Sequence, residues 1–287
     1  MSIGIDAHQH FWKYNPAEYG WIRPGTPLQK DWLPADLERL QKPLGLGGSI
    51  AVQARQSLEE TRWLLELAAE NPLVRGVVGW VDLRSPRVEE QIASFELNPK
   101  LVGVRHVAQD EPDDRFLVGR EFLRGIEALH GFGLRYDLLI FPRQLPAAIE
   151  LVERFPRQPF VLDHCAKPPI ARGELEPWAG WTARLAAHQN VWCKVSGMVT
   201  EAVHNAWSFE TLLPYLAVVE GAFGRKRLMW GSDWPVCLLA AEYEAWWKVL
   251  QRWTGDWSAE ERASFFGGCA ARFYGVAGEA GDGEGSA

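Results

Sequence analysis

Eight short runs rich in Val, Ile and Leu recur along the 287-residue chain, and their number and spacing limit the fold more than any other feature. They cover residues 3–7, 49–53, 77–81, 101–106, 134–139, 160–164, 191–195 and 228–231. The usual separation is about 30 residues, the length of one strand–helix unit. Most runs are apolar on both faces, the pattern of strands buried in a parallel sheet. Helical spacing appears between them. Trp63, Leu64, Leu67 and Ala68 share one face, as do Leu145, Ile149 and Val152. Ser85 followed by Pro86 reads as a helix start, an N-cap with proline in the first turn.

Eight alternations of strand and helix predict a (β/α)8 TIM-type barrel. An open doubly wound sheet would alternate in the same way. The count of eight and the polar residues at the run ends favour the barrel. No boundary interrupts the series, so residues 1–275 are expected to form one barrel domain. Residues 276–287, which end in GEAGDGEGSA without an apolar anchor, are expected to be a disordered tail. The longest irregular stretch, residues 13–33, follows the first run directly and should lie at the barrel mouth. Its Trp21 and Trp32 suggest a packed lid.

Composition narrows the partners. A net charge of -7 argues against attraction to nucleic acid or to acidic membranes. No apolar run approaches the ~20 residues of a membrane span, and the N-terminus lacks the basic start and long apolar segment of a signal peptide. Cys165, Cys193, Cys237 and Cys269 are widely spaced with no CxxC pair, which suits reduced core thiols. A cytoplasmic protein is expected, with a small molecule as its partner and the oligomeric state left open.

In barrels the chemistry sits where the strands end. His8 and His10, in IDAHQHFW, stand two apart and so point the same way. His106 ends the fourth run in GVRH, His164 the sixth in VLDHCAKP, and Asp233 the eighth in MWGSDWP. Four of the chain's seven histidines therefore stand at run ends that the topology would gather into one ring. Imidazoles with a carboxylate suit a zinc site, which activates water and polarises a carbonyl. Without a metal, Asp233 could serve as a base while imidazoles and cations stabilise an oxyanion.

In this order, IDAHQHFW, GVRH, VLDHCAKP, WCKVSGM and RLMWGSDWPV resemble the amidohydrolase superfamily. The likeness is to its branch of sugar-lactone hydrolases, which includes L-fuconolactonase and L-rhamnonolactonase and is related to 2-pyrone-4,6-dicarboxylate lactonase. It runs from Ile5 to about Tyr274. The resemblance implies a distorted barrel and hydrolysis of a carbonyl compound. It implies His8 and His10 as a metal pair completed by Asp233, Asp233 also as general base, and His164 as a residue orienting water or substrate. The two-metal form of the superfamily needs a bridging Lys or Glu on strand four and a His on strand five. The fifth run reads LRYDLLI, with Tyr136 and Asp137, so one divalent ion, zinc, or none is expected.

His106 is a further catalytic candidate through its charge. Arg105 and Lys167 are candidates for substrate oxygens, against a strand-end ion pair and an exposed loop lysine respectively. Lys194, within the seventh run, shares a face with Ser196 and could point inward. Trp21 and Trp32 would stack on the C–H faces of a sugar. Trp12, Trp207 and Trp234 also fall near the mouth, whereas Trp80, Trp192 and Trp230 lie in strands and suit the core. The leading expectation is a lactonase that opens a sugar lactone to its acid through water activated by Asp233. The alternatives are a metal-dependent non-oxidative decarboxylase on the same barrel and a non-catalytic sugar-acid binding protein.

Overall fold

The computed structural model describes residues 4–95 and 98–276, and in it the eight runs become eight parallel strands paired in chain order. They are β1 Gly4–Gln9, β2 Leu46–Val52, β3 Val74–Gly79, β4 Leu101–His106, β5 Arg135–Leu138, β6 Phe160–Leu162, β7 Val191–Val195 and β8 Leu228–Trp230. β8 returns to β1 at the mouth. Gln9 bridges Trp234, His10 N donates to the Trp234 carbonyl at 2.7 Å, and Asp233 N donates to the His8 carbonyl at 2.8 Å. The result is a nearly closed (β/α)8 barrel whose seam joins the segments carrying His8, His10 and Asp233.

The main helices follow the strands: α1 Pro34–Gln41, α2 Leu58–Glu70, α3 Val88–Ala93, α4 Arg120–Gly131, α5 Leu145–Arg154, α6 Trp178–Ala186, α7 Phe209–Phe223 and α8 Tyr243–Trp253. Two short helices, α9 Ala259–Ala263 and α10 Cys269–Tyr274, end the described chain. The helical spacing around Trp63 lies in α2, which Ser57 caps by accepting from Glu60 N at 3.0 Å. The spacing around Ile149 lies in α5. The expected start at Ser85 and Pro86 is displaced. Ser85 Oγ accepts from Arg87 N at 3.1 Å and closes a turn, and α3 begins only at Val88.

β2 begins three residues before its apolar run. Gly47 and Gly48 lie in this added stretch, and Gly48 sits against a neighbouring strand. A Cβ there would lie 2.8 Å from Arg75 Cγ. β6 is cut short because the chain turns left-handed at His164.

Two apolar sets share the strands. The outer set packs strands against helices. The inner set, including Ile5, Ile50, Val102 and Met229, is closed from below by Phe273 and Tyr274 of α10. Of the expected tail, Val276 is described and packs on this floor, while residues 277–287 lie outside the described residues. No described helix is long and apolar enough to cross a membrane. The four cysteines are free and buried.

Candidate active site

β1 carries one extra residue between Asp6 and Gln9 relative to β2. Below this bulge Ile5 and Ala7 join the inner apolar set. Above it the inward parity changes, and His8 and His10 reach the site. His8 Nε2, His10 Nε2 and Asp233 Oδ1 converge, at 3.2 Å between the imidazoles and 3.8 and 3.3 Å from each to the carboxylate. All three residues are buried.

Hydrogen bonds fix which nitrogens face inward. His10 Nδ1 lies 2.8 Å from the Val52 carbonyl, which only accepts, so Nδ1 carries a proton and Nε2 is the nitrogen turned to the site. His8 faces two obligate donors, Arg105 Nη1 at 3.3 Å from Nε2 and Lys194 Nζ at 3.3 Å from Nδ1, and one acceptor, Asp163 Oδ1 at 3.3 Å from Nδ1; with its proton on Nδ1, toward Asp163, the Nε2 lone pair faces the site. Burial, reinforced by the neighbouring Lys194, holds the His8 pKa well below its usual value, so the ring is neutral. Two imidazole nitrogens and a carboxylate oxygen thus face one another. A tetrahedral zinc with bonds of about 2.0–2.1 Å has ligand-to-ligand edges of about 3.3 Å. These residues could hold a divalent metal, and the donor set fits one.

His164 opens a run of four non-glycine residues with positive φ, at 52°, 53°, 57° and 52° through Lys167. Such a left-handed turn costs roughly 1–2 kcal/mol per residue, so the surroundings must enforce it. Trp178 Nε1 donates to the Cys165 carbonyl at 2.7 Å, and Lys167 N donates to the His164 carbonyl at 2.8 Å. The turn buries Cys165 and Ala166 and sends both His164 and Lys167 to the cavity. His164 Nδ1 contacts Ser196 Oγ at 2.9 Å, and its Nε2 lies 3.8 Å from Asp233. Gly197, at φ 62°, makes room for the ring, since a Cβ there would sit 2.6 Å from His164 Nδ1. Burial drives the His164 pKa well below the usual range. Burial alone would raise that of Asp233, but His164, the His10 hydrogen bond and Lys167 outweigh it and keep the carboxylate ionised.

Beneath these groups lies a charged layer. Lys194 Nζ contacts Asp137, Asp163 Oδ1 at 3.1 Å and His8 Nδ1 at 3.3 Å. Arg105 bonds Asp163 Oδ2 at 3.2 Å and the Gln53 carbonyl. Tyr274 Oη donates to Asp137 from below at 2.9 Å. Two cations balance two carboxylates, so the layer is neutral without an ion. Lys194 does point inward, as a strut under His8.

The cavity above this layer has a volume of about 980 Å³, and His10, Arg105, His164, Lys167, Asp233 and Trp21 are among its lining residues. Two of the expected residues are placed elsewhere. Arg105 takes the inward position on β4, so the next residue, His106, faces outward. Its ring stacks on Phe116 at 4.8 Å, and its Nε2 pairs with Glu111 at 2.7 Å. Trp32 is buried against Trp234 at 5.0 Å, with Lys30 Nζ 3.8 Å from the centre of its ring. Trp12 and Trp234 are likewise fully buried.

The charged residues missed in the sequence are Asp163 and Asp137, hidden inside apolar runs, and Glu201 in the loop after β7. The strand alternation that places Asp163 opposite in direction to Leu162 was the available signal for the first. Burial, partly offset by Lys167, raises the pKa of Glu201.

The amidohydrolase family profile matches residues 5–276. An L-fucono-1,5-lactonase of Burkholderia multivorans is 43% identical over 285 residues, spanning 95% of this chain and 96% of its own. An L-fucono-1,5-lactonase of Burkholderia ambifaria is 40% identical over 291 residues, spanning 98% and 99%. A crystal structure of an amidohydrolase from Burkholderia multivorans with zinc bound superposes with a TM-score of 0.92 at 42% identity, over 96% of this chain and 100% of that one. The match runs through all eight strands and the site they carry, and the chain belongs to the amidohydrolase family.

Proposed function

We propose that this protein opens a sugar lactone to the corresponding sugar acid by attack of water on the lactone carbonyl. The observation that carries the reading is the convergence of the ionised Asp233 carboxylate with the His8 and His10 Nε2 atoms at the base of a cavity large enough for a sugar ring. The two L-fucono-1,5-lactonases, related over nearly their whole length, support the substrate class.

Asp233 takes a proton from water as the water oxygen bonds to the carbonyl carbon. Arg105 lines the same cavity and faces the negative charge that develops on the carbonyl oxygen. Arg105 Nε is a buried donor without a partner among the described residues. Neutral His164, held by Ser196, orients the water or the ring. When the bond from the carbonyl carbon to the ring oxygen breaks, Asp233 returns its proton to that oxygen. His8, His10 and Asp233 would hold one divalent ion, zinc, which would polarise the carbonyl and acidify the attacking water. Arg105 Nη1 lies 3.3 Å from the same His8 nitrogen, so a bound ion would have to displace that contact.

A pH-indicator screen of aldonolactones, before and after chelation, tests the reading together with product mass and elemental analysis. Acid release from an aldonolactone, without carbon dioxide, is expected. So is one ion per chain, with turnover lowered by chelation and restored by zinc. Carbon dioxide release, or lactone binding without turnover, would overturn the hydrolase. Two tight ions per chain, both required, would overturn the single-ion site. Full activity without any metal would leave Arg105 as the whole oxyanion support.

A further inference from the structure

Lys167 and Glu201 face each other on the β6 and β7 side of the cavity and both line it. Nζ and Oε1 are 3.8 Å apart, and the two side chains are only 18% and 24% exposed. Charge-assisted hydrogen bonds close to about 2.7–2.9 Å, so this pair stands apart. Neither side chain makes a closer polar contact among the described residues. Lys167 otherwise lies 5.2 Å from the centre of the Phe141 ring. An ammonium keeps three donors and a carboxylate about four lone-pair sites, and most of these are unused in a largely enclosed wall.

The backbone adds a second observation. The left-handed turn from His164 to Lys167 is strained at every residue, and strain of this kind collects at ligand-holding segments. The turn's i to i+3 hydrogen bond, Lys167 N to the His164 carbonyl at 2.8 Å, sets residues 164 and 167 on the same wall. The strained geometry sets the Lys167 ammonium three residues from His164, within the electrostatic reach of Asp233.

We propose that Lys167 and Glu201 form a clamp for two adjacent hydroxyls of the lactone ring, the ammonium donating to one and the carboxylate accepting from the other, and that this clamp decides which epimer is turned over. Adjacent hydroxyls suit the gap because each is both donor and acceptor. An epimer turns one of them away from its partner and leaves a charged group unpaired in the wall, which is where strong discrimination arises. The inference rests on the lactonase reading and names the specificity element of that same cavity.

The test is a cycle between protein and substrate. Wild type, Glu201→Gln and Lys167→Met are each assayed with the best aldonolactone, its epimers and its single-deoxy analogues. With wild type, loss of the clamped hydroxyl is expected to lower kcat/KM by about ten- to hundredfold, the scale of a hydrogen bond to a charged group. With Glu201→Gln the same deletion should cost little more, at one ring position only. Lys167→Met should show this at the neighbouring position. Metal content and thermal midpoint are measured on the same samples. A uniform loss across all analogues in each variant, with the wild-type epimer ratios kept, would overturn the clamp and leave a solvated wall pair. If wild type opens no aldonolactone, the lactonase reading itself fails and the clamp with it, an outcome distinct from additive losses in an active enzyme.

Discussion

Asp233 occupies a backbone conformation with φ 58° that L-residues seldom adopt, and its amide is tied to the His8 carbonyl. Its carboxylate is therefore aimed by the seam of the barrel and not by a flexible loop. Asp233→Asn keeps the shape of the side chain and removes the proton acceptor. It is expected to lower kcat by at least ~100-fold, the scale of losing a general base, with a thermal midpoint close to wild type. Near-normal turnover by a folded Asn variant would take Asp233 out of the chemistry. His8, His10, His164 and Asp233 were legible in the sequence because each ends an apolar run, and barrel topology gathers run ends. His106 ends a run too, but Arg105 and His106 are adjacent and polar, and nothing in the run pattern distinguishes which of them faces inward. Lys194 and Asp163 were less legible because a charge inside an apolar run looks like a defect until its partners come from β4, β5 and β1. Glu201 lies in a loop with no period to read.

Among the elements, the eight strands and the better helices follow directly from hydrophobic period, whereas their ends do not. Local events set those ends: the bulge in β1, the glycines at the start of β2 and the left-handed turn that stops β6. The 13–33 loop shows the same division. Trp32 pairs with Trp12 through a short bridge and packs beneath Trp234. Trp21 is 44% exposed and lines the cavity, with its Nε1 donating to the Ala54 carbonyl at 3.0 Å. Tyr19 anchors the loop from below by donating to Glu60, whose other oxygen accepts from Ala54 N and Arg55 N. One tryptophan is thus packed into the barrel mouth and the other lines the cavity. Trp32→Ala is expected to cost about 3–5 kcal/mol of stability, the usual range for a buried aromatic, and to lower activity on all lactones by a common factor. Trp21→Ala should change kcat/KM ratios between epimeric lactones while the melting point moves little. Thermal melts and a small epimer panel on both variants check this. A uniform loss in Trp21→Ala would make the whole loop scaffold.

Across the whole molecule the barrel interior is stacked in three levels. An apolar floor is closed by α10, a charged layer of Arg105, Lys194, Asp137 and Asp163 lies above it, and the convergent Nε2 atoms of His8 and His10 open to the cavity with Asp233. The middle level joins the other two: Tyr274 of α10 holds Asp137, Asp137 holds Lys194, and Lys194 supports His8. A fully buried lysine is tolerable only because two carboxylates flank it, and those carboxylates need it equally. Removing one member of such a set is worse than removing a matched pair, since the single change leaves an uncompensated buried charge. Lys194→Met is therefore expected to destabilise the fold by about 3–5 kcal/mol, seen as a lower midpoint in urea. Adding Asp137→Leu removes one of the two stranded carboxylates and leaves Asp163 with Arg105. The double variant should then be more stable than Lys194→Met alone, although it also loses the Tyr274 hydrogen bond. Its activity should stay low, because His8 would still lack the support beneath its ring. Additive destabilisation by the two substitutions would show that Lys194 and Asp137 do not act as a charge pair, and the neutral layer would then have to rest on Arg105 and Asp163.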